Sequence, residues 1–310
     1  MEKLLITRTD SLVGAGAAVC LADRMEVVGT ADAHPTNVEN LIQLIDAERP
    51  QLVLHAGPIS ASAWDVGGVG TARIAGRPEL RAELAQIDTL ADACRRAASK
   101  LIVVATDGVF DGPRMFHGEQ APACSKSIFG RAAAEIEGRW AAAGALVVRT
   151  HVYGWSPSSY GENYAERMFR ELTGEVPCPV DAVRHSTPIL STDLAEMLYD
   201  AYRADLRGVF HIAGAERTSP YRFAAELASA LGVPGRFVNL ISRAAAARRP
   251  YIDETSLNTL AARRVLERPM PMLREGLARF AAQAFNGFRE RVAGDEPARI
   301  EAPIRLHQAA

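Results

Sequence analysis

The chain has 310 residues, 48% of them hydrophobic, and a formal net charge of −2. That length is enough for one large α/β domain with an additional lobe, and the balance of 35 basic and 37 acidic residues argues against a nucleic-acid or polybasic membrane partner. No apolar run approaches a membrane span and no secretory leader precedes the first strand, so we expect a cytoplasmic protein.

The cysteines give no sign of a metal site or of disulfides. Cys20, Cys94, Cys124 and Cys178 show no CxxC spacing and have no histidine partners in register. Because zinc sites and disulfide frameworks depend on such spacing, neither is predicted, and we expect no metal.

Short apolar runs alternate with helical patterns through the first third of the chain. Strands are predicted at residues 3–7, 25–29, 51–57 and 101–105. Helices are predicted after the first strand, where Ser11 is placed to cap the helix, after the capping box of Thr36 and Glu39, and at residues 79–99. The alternation predicts an α/β fold with a doubly wound parallel sheet.

The stretch between residues 59 and 78 is rich in Gly, Ser and Ala and has neither helical nor strand periodicity. It is predicted to be a mobile loop at the mouth of a site. Its glycines at residues 67–70 have the composition of a phosphate loop, but no strand comes directly before them and no Lys-Ser/Thr pair follows. An ordinary glycine-rich loop is therefore the preferred interpretation.

A polar segment follows the strand at residues 101–105. Residues 105–112 read ATDGVFDG, and a helix of alanines and glutamates is predicted at residues 128–142. Thr106 and Asp107 thus lie just past the carboxyl end of a buried strand, where open α/β sheets bind ligands. The alternative is an ordinary strand–loop–helix connection.

Three further motifs follow in the second half of the chain. They read VRTHVYG at residues 148–154 within a predicted strand at 145–154, RHSTPILSTDLA at 184–195, and GVFHIAG at 208–214 followed by Thr218 and Ser219. Helices are predicted at residues 162–174, after an N-cap among Ser191, Thr192 and Asp193, from Ser219 to Gly232, and at residues 273–288. The residues after 294 are predicted to form a flexible tail.

In this order, the four motifs resemble those of the dTDP-4-dehydrorhamnose reductase (RmlD-type) family of extended short-chain dehydrogenases. The family's counterparts include STDYVFDG, (L/V)RTSWVYG and a segment ending in PTxxxDLA. The resemblance covers roughly residues 1–285. It implies a Rossmann-type, NAD(P)-binding domain at residues 1–150, to which some later segments return, and a sugar-nucleotide lobe at residues 151–294, before a tail at 295–310.

The family's catalytic signature is Tyr-x-x-x-Lys on the helix after the ATDGVFDG segment. In the family the tyrosine donates a proton to the carbonyl oxygen, while the lysine lowers the tyrosine pKa and holds the ribose. At the matching positions this chain has Phe129, which has no proton to give, and Ala133, which has no charge. No tyrosine of the chain is followed four residues later by lysine. The usual chemistry cannot run here as written.

The resemblance implies NAD or NADP as cofactor, but the glycine motif is incomplete. The family has GxxGxxG where this chain has Arg8, Ser11 and Gly14, with Leu12 and Val13 between the last two. The two missing glycines argue against the usual binding mode, although Arg8 could pair with a phosphate. Further cofactor candidates are Asp32, near the ribose position, and His55 and Ala56, in the place of the family's Asn-Ala-Ala. A core histidine is the alternative for His55.

The resemblance places several residues toward a nucleotide-sugar substrate. They are Asp107, Tyr153, Asn163, Arg184, His185 and Pro188. For Arg184 and His185, an exposed loop pair is the alternative interpretation. The family leans toward precursors of cell-surface polysaccharides, as in dTDP-rhamnose biosynthesis.

Three hypotheses follow. The first is a sugar-nucleotide-binding protein with lost or severely reduced reductase activity, which could serve a protein partner or form a homodimer; a regulatory subunit of methionine adenosyltransferase belongs to the same group. The second is an active NAD(P)-dependent reductase of a 4-keto sugar nucleotide, in which Thr106 polarises the carbonyl and His151 or Tyr153 donates the proton. The third, epimerisation or dehydration, is disfavoured because the relatives that catalyse it also need Tyr-x-x-x-Lys.

Overall fold

The computed structural model describes residues 1–30, 38–66, 77–242 and 254–294, together with the backbone of residues 305–306. The strands are β1 (Lys3–Ile6), β2 (Glu26–Gly29), β3 (Leu52–His55), β4 (Lys100–Thr106), β5 (Leu146–Thr150), β6 (Val152–Tyr153), β7 (Cys178–Val180), β8 (Ile189–Leu190), β9 (Val209–His211), β10 (Val238–Leu240) and β11 (Arg305–Leu306). The α-helices are α1 (Leu12–Leu21), α2 (Val38–Glu48), α3 (Ala63–Val66), α4 (Arg77–Arg96), α5 (Ile128–Ala142), α6 (Tyr164–Thr173), α7 (Ser191–Arg203), α8 (Pro220–Leu231), α9 (Leu260–Leu266), α10 (Leu273–Gln283) and α11 (Phe288–Ala293).

Seven parallel strands form the central sheet, in the order β11-β2-β1-β3-β4-β5-β9. The chain moves outward in opposite directions from β1, so that β2 and β3 flank it. In open α/β sheets, such a reversal opens a crevice at the carboxyl ends of the strands, where ligands bind. The ends of β1, β3, β4 and β5 are the places where the predicted site residues cluster.

Helices cover both faces of the sheet. Helix α1 packs against α7 on one face, and α2, α4 and α5 pack in sequence on the other. Helix α1 is apolar on all sides, as a helix buried on all sides must be. A Cβ on its Gly16 would lie 3.0 Å from the Ser191 side chain, so the glycine lets α1 and α7 approach closely. The predicted doubly wound parallel sheet is confirmed.

The second half of the chain builds a smaller lobe and also returns to the sheet. The lobe contains the strand pairs β6–β8 and β7–β10 and an apolar cluster in which the Trp155 and Phe280 rings stack with centroids 4.5 Å apart. Strand β9 pairs with β5, and α7 packs on α1, so both belong spatially to the first domain. The division near residue 150 remains a prediction.

Several sequence predictions hold closely. Helix α5 has the predicted bounds, and Ser11 caps α1 by accepting a hydrogen bond from the Gly14 N–H at 3.0 Å. Helix α8 has the predicted Ser219 cap, proline at its first turn and left-handed Gly232 at its end. Thr36 and the glycines at 67–70 lie outside the described residues.

Other predictions were wrong for identifiable reasons. The predicted strand at residues 145–154 is two strands, because β5 joins the main sheet and β6 pairs with β8. The predicted side-chain cap among residues 191–193 is absent, since Leu190 is the N-cap of α7. The helix predicted at 273–288 is broken between α10 and α11, where Gly287 is left-handed at φ 81°. Arg305–Leu306 forms a two-residue strand beside β2, and the flexible tail at residues 295–310 stays a prediction.

Candidate functional site

The Asp107 carboxylate joins four distant segments just beyond β4. It is fully buried and accepts hydrogen bonds from the Ala63 N–H (3.0 Å), His151 Nδ1 (2.7 Å), the Ser186 hydroxyl (2.6 Å) and the Thr255 hydroxyl. We call Asp107, His151, Ser186 and Thr255 the Asp107 cluster. Burial alone raises the pKa of a carboxyl group, but His151 and the two hydroxyls hold the pKa of Asp107 below its usual value. Asp107 is therefore an ionised carboxylate whose hydrogen bonds come from protein groups and not from water.

His151 follows β5 and is completely buried. Its ring lies 4.6 Å from the Trp64 ring, edge to face, and 5.5 Å from the Tyr164 ring, measured between centroids. Nδ1 is engaged by Asp107, whereas Nε2 has no hydrogen-bond partner among the residues that the structure describes. His151, which the sequence analysis proposed as a proton donor, thus has a carboxylate partner at Nδ1 and an unbonded Nε2 within the described part of the chain.

Thr106 ends β4 and is fully buried. Its hydroxyl caps the short 3-10 turn Asp107–Val109 by accepting the Gly108 N–H at 2.9 Å, and it lies 3.4 Å from Asp107 Oδ1. The turn holds Asp107 directly under the strand end. The proposed polarising role of Thr106 would need its hydroxyl proton to be redirected from Asp107 to a substrate.

The start of helix α5 presents an apolar surface where the family has its catalytic pair. Phe129 and Ala133 are 3% and 1% exposed and belong to the apolar cluster beneath α4 and α5. We call these two residues the Phe129 face. Gly130, the residue after Phe129, fits tightly, because a Cβ there would lie 2.4 Å from the Gly108 carbonyl oxygen. The face therefore lies beside the turn that carries Asp107.

No lysine replaces the family's ammonium group at this place. The chain's lysines are Lys3, Lys100 and Lys126. Lys3 and Lys100 begin β1 and β4, at the opposite end of the strands, and pair with Glu48 and Asp205. Lys126 is exposed, just before α5.

The turn between β1 and α1, residues 8–14, keeps a tight path without its first two glycines. A Cβ on Gly14 would lie 1.8 Å from the Arg8 carbonyl oxygen, so only glycine fits there. The Ser11 hydroxyl is used inside the turn, donating to the Arg8 carbonyl at 2.8 Å and capping α1. Arg8 Nε pairs with Asp10 at 3.0 Å. Leu12 and Val13 are buried in the core.

Of the remaining cofactor candidates, His55 and Ala56 lie at the end of β3 and Asp32 lies outside the described residues. His55 is buried at the end of β3, where Nδ1 lies 2.8 Å from the Thr7 hydroxyl and Nε2 lies 3.4 Å from Glu83. This agrees with the alternative of a core histidine. Ala56 is fully buried beside it.

The substrate candidates are used mainly in packing and capping. Asn163 is the N-cap of α6, in a complete capping box with Glu166. Arg184 is buried and ion-paired with Asp181 at 2.9 Å, so it is not half of an exposed loop pair. Tyr153 is 1% exposed among Phe223 and Phe280, and burial raises its phenol pKa above the usual value, which makes it a poor proton donor.

His185 and Pro188 lie beside the Asp107 cluster without entering it. The His185 carbonyl accepts the Thr255 N–H at 2.9 Å, and its ring nitrogen Nδ1 contacts the Val183 carbonyl at 2.8 Å. The carbonyl oxygen of Pro188 lies where a Cβ on Gly214 would be, only 2.1 Å away. These contacts fix the loop that supplies Ser186.

The sequence interpretation missed a segment that covers His151. Residues 59–66 were predicted as part of a mobile loop, but Trp64 is 2% exposed and lies on helix α3. Three hydrogen bonds fix the segment. The Ser62 hydroxyl donates to the Val152 carbonyl (2.6 Å), the Ala63 N–H donates to the Asp107 carboxylate, and Asp65 accepts the Tyr164 N–H (2.8 Å). A tryptophan in an otherwise Gly/Ser/Ala-rich stretch was the one available signal.

The described residues do not fit a nicotinamide dinucleotide in the family's usual mode. Ser11 uses its hydroxyl within the turn, Asp10 places a carboxylate on Arg8, and the Phe129 face offers neither hydroxyl nor ammonium. These residues therefore do not provide the groups that the family's hydride transfer requires. The described residues also contain no group of three or more His, Cys, Asp or Glu side chains placed to hold a metal ion. None of the helices described there could span a membrane.

Comparison with known proteins agrees with the resemblance. A dTDP-4-dehydrorhamnose reductase of Sinorhizobium fredii is 29% identical over 189 residues, which cover 53% of this chain and 60% of that protein. One from Aggregatibacter actinomycetemcomitans is 25% identical, over 72% of this chain and 77% of its own length. The methionine adenosyltransferase 2 subunit beta of Danio rerio is 27% identical, over 44% of this chain and 45% of its own.

Solved structures place the fold among the same proteins. The dTDP-4-dehydrorhamnose reductase of Bacillus anthracis in complex with NADP superposes with a TM-score of 0.76 at 21% identity, covering 91% of this chain and 99% of that one. The chain thus has a Rossmann-type α/β fold. The family model of the RmlD substrate binding domain matches residues 2–285, and the chain belongs to that family.

Proposed function

We propose that this protein binds a nucleotide sugar without performing the family's tyrosine–lysine hydride transfer. The observation that carries the proposal is the Phe129 face, where two buried apolar residues stand in place of the proton donor and the cation. Because Phe129 and Ala133 carry no polar side-chain atoms, neither needs a buried hydrogen-bond partner, and both pack within an apolar cluster. Membership of a family defined by its substrate-binding domain supports the nucleotide sugar as ligand.

The test is a pair of measurements on the purified protein. Calorimetric titration with dTDP-4-dehydrorhamnose should show saturable binding. An assay of NADPH or NADH consumption with the same sugar should show no turnover, or turnover lower by roughly 10²–10⁴-fold than that of a relative with the tyrosine. Rapid, stoichiometric oxidation of the nucleotide would overturn the proposal, as would failure to bind any nucleotide sugar.

A double variant sharpens the test. Phe129→Tyr with Ala133→Lys restores both side chains of the family's signature at their matching positions. Hydride transfer in this variant, under conditions where NADPH binds, would identify the Phe129 face as a vestigial site. Phe129→Tyr with Ala133→Met is the matched control, because methionine has similar length without the charge. If NADPH binds to the double variant and no activity appears, the vestigial-site idea is wrong.

A second candidate is an active NAD(P)-dependent reductase of a 4-keto sugar nucleotide that uses Thr106 and a substitute proton donor. It is favoured by the free Nε2 of His151, close to the strand end that carries Thr106. For this candidate the same assay should show NADPH consumption that His151→Gln abolishes. The two candidates therefore differ in one measured quantity, the rate of nucleotide oxidation.

A further inference from the structure

Four buried polar atoms without partners belong to Trp64, to the next residue along the chain and to two residues whose rings contact Trp64. They are His151 Nε2, Trp64 Nε1, Asp65 Oδ2 and Tyr164 Oη, each lacking a hydrogen bond within the described part of the chain. The Trp64 ring lies 4.6 Å from that of His151 and 5.1 Å from that of Tyr164. Buried polar groups are nearly always satisfied, so a cluster of unsatisfied ones indicates a place where a ligand completes the hydrogen bonding.

The Asp107 cluster prepares His151 as a base. An ionised carboxylate can only accept hydrogen bonds, so Nδ1 of His151 is the ring nitrogen that donates to Asp107, and the lone pair available to a base lies on Nε2. The ring cannot turn over without breaking the contact at 2.7 Å, and Asp107 is itself held by Ser186 and Thr255. Asp107 therefore acts as the positioning residue for a fixed tautomer.

Tyr164 supplies the complementary group. Burial and the nearby Asp65 carboxyl raise its phenol pKa well above the usual value, so the hydroxyl stays protonated. A protonated phenol can donate a hydrogen bond to a carbonyl oxygen and to the anion that forms from it. The Tyr164 and His151 ring centroids are 5.5 Å apart, so the two side chains are direct neighbours.

The indole of Trp64 is the neighbour that these two groups share. It contacts His151, Tyr164 and Phe223 edge to face, with a centroid distance of 6.0 Å to the last. Aromatic side chains commonly line small-molecule sites. Access to His151 accordingly requires the Trp64 ring to give way to the ligand.

We propose that the pair His151–Asp107 transfers protons at a carbon next to the ketone of a bound keto-sugar nucleotide. His151 Nε2 takes the C–H proton, the C–H electron pair forms the C=C bond, and the former carbonyl π pair moves to the carbonyl oxygen, to which the Tyr164 hydroxyl donates a hydrogen bond. Return of a proton to carbon from His151 restores the ketone, so the step is an enolisation with no net oxidation or reduction. This inference rests on the proposed function, because it needs a bound nucleotide sugar.

The experiment follows exchange of carbon-bound hydrogen in D₂O. dTDP-4-dehydrorhamnose is incubated with the full-length protein, without NAD(P)H, and the proton signals at the two carbons flanking the ketone are recorded by NMR against a protein-free sample. We expect the signals to decay faster with the protein. His151→Gln should slow the protein-dependent exchange by roughly 10²–10⁴-fold. Trp64→Phe, which removes part of the covering indole, should raise the rate several-fold.

The matched control is His211→Gln. His211 is a second fully buried histidine, on β9, bonded to Arg149 rather than to a carboxylate, and its replacement should leave the exchange unchanged. Protein-dependent exchange that persists in His151→Gln would overturn the assignment. Binding of the sugar nucleotide with no exchange above background would overturn the inference while the proposed function stands. Absence of binding would overturn both.

Discussion

The Asp107 cluster and the Phe129 face are neighbours at the end of β4, and they are opposite in chemistry. The cluster is a fully buried carboxylate with every hydrogen bond supplied by protein, while the face is apolar and sealed into the core. Apolar residues thus stand at both positions that match the family's catalytic pair, and beside them lies a polar cluster that costs stability if one member loses its partners.

Removing the carboxylate should have the largest effect. Asp107→Ala leaves the His151 Nδ1–H, two hydroxyls and the Ala63 N–H without their acceptor, and buried networks that lose one charged member lose about 3–5 kcal/mol. We expect a shift of that size in the urea unfolding free energy. Asp88→Ala, which removes a 73% exposed carboxylate, is the control and should leave the midpoint in place. Equal midpoints for the two variants would show that the cluster is dispensable.

The turn at residues 8–14 should be the next most sensitive place. In Gly14→Ala the new Cβ would overlap the Arg8 carbonyl oxygen at 1.8 Å, and both atoms belong to the backbone. We expect a loss of about 2–3 kcal/mol, measured by denaturant unfolding. Gly138→Ala is the counterpart: nothing lies within 4 Å of that Cβ, in the interior of α5, so a gain of about 0.5–1 kcal/mol is expected. Similar losses at both positions would refute the role of the close approach.

The segment that covers the Asp107 cluster should make stability depend on pH. Burial raises the pKa of Asp65 to about 7, above the unfolded value of about 4. A group with a raised folded pKa contributes stability that is fully present below its unfolded pKa and is lost as the pH rises through the folded value. Unfolding free energy from this group should fall by about 2–3 kcal/mol between pH 5 and pH 8.

Asp65→Asn tests that dependence. The amide cannot ionise, and its Oδ1 can still accept the Tyr164 N–H. Between pH 5 and pH 8 the unfolding free energy of the variant should therefore rise relative to that of the wild type by about the same 2–3 kcal/mol. Urea titrations at the two pH values measure the difference. Asp88→Asn serves as the exposed control. Parallel curves for wild type and Asp65→Asn would mean that Asp65 is not the responsible group.

The two regions also differ in how far the sequence could predict them. The Phe129 face could be located from the sequence, because its helix was predicted at residues 128–142 and the resemblance matched Phe129 and Ala133 to the family's catalytic pair. The Asp107 cluster could be predicted only as Thr106 and Asp107 past a strand end. Its partners Ser186 and Thr255 lie 79 and 148 residues away in sequence, and no periodicity links them.

The covering segment shows the same limit. Trp64 is held by contacts with His151, Phe223 and the Arg184 guanidinium, which donates to its carbonyl at 3.4 Å. Local composition favoured a loop, and tertiary packing outweighed it, as it commonly does for short segments. The carboxylate–histidine pair was missed for a related reason: the resemblance supplied His151 as a substitute acid, but only the fold places Asp107 against it.

The smallest predicted effect concerns the turn that should meet a dinucleotide. Arg8 is paired with Asp10, and each side chain is only about a fifth exposed, at 22% and 21%. Asp10→Asn removes the carboxylate that both repels a phosphate and occupies the guanidinium, so NADPH should bind about 3–10-fold more tightly, by calorimetric titration at low salt. Asp23→Asn makes the same charge change at an exposed position after α1 and should alter affinity much less. If both variants gain equally, the effect is one of net charge, and Arg8 does not receive the phosphate. A selective gain would mean that Asp10, as well as the missing glycines, limits phosphate binding at this turn, and that Arg8 is placed to receive a phosphate once the carboxylate is removed.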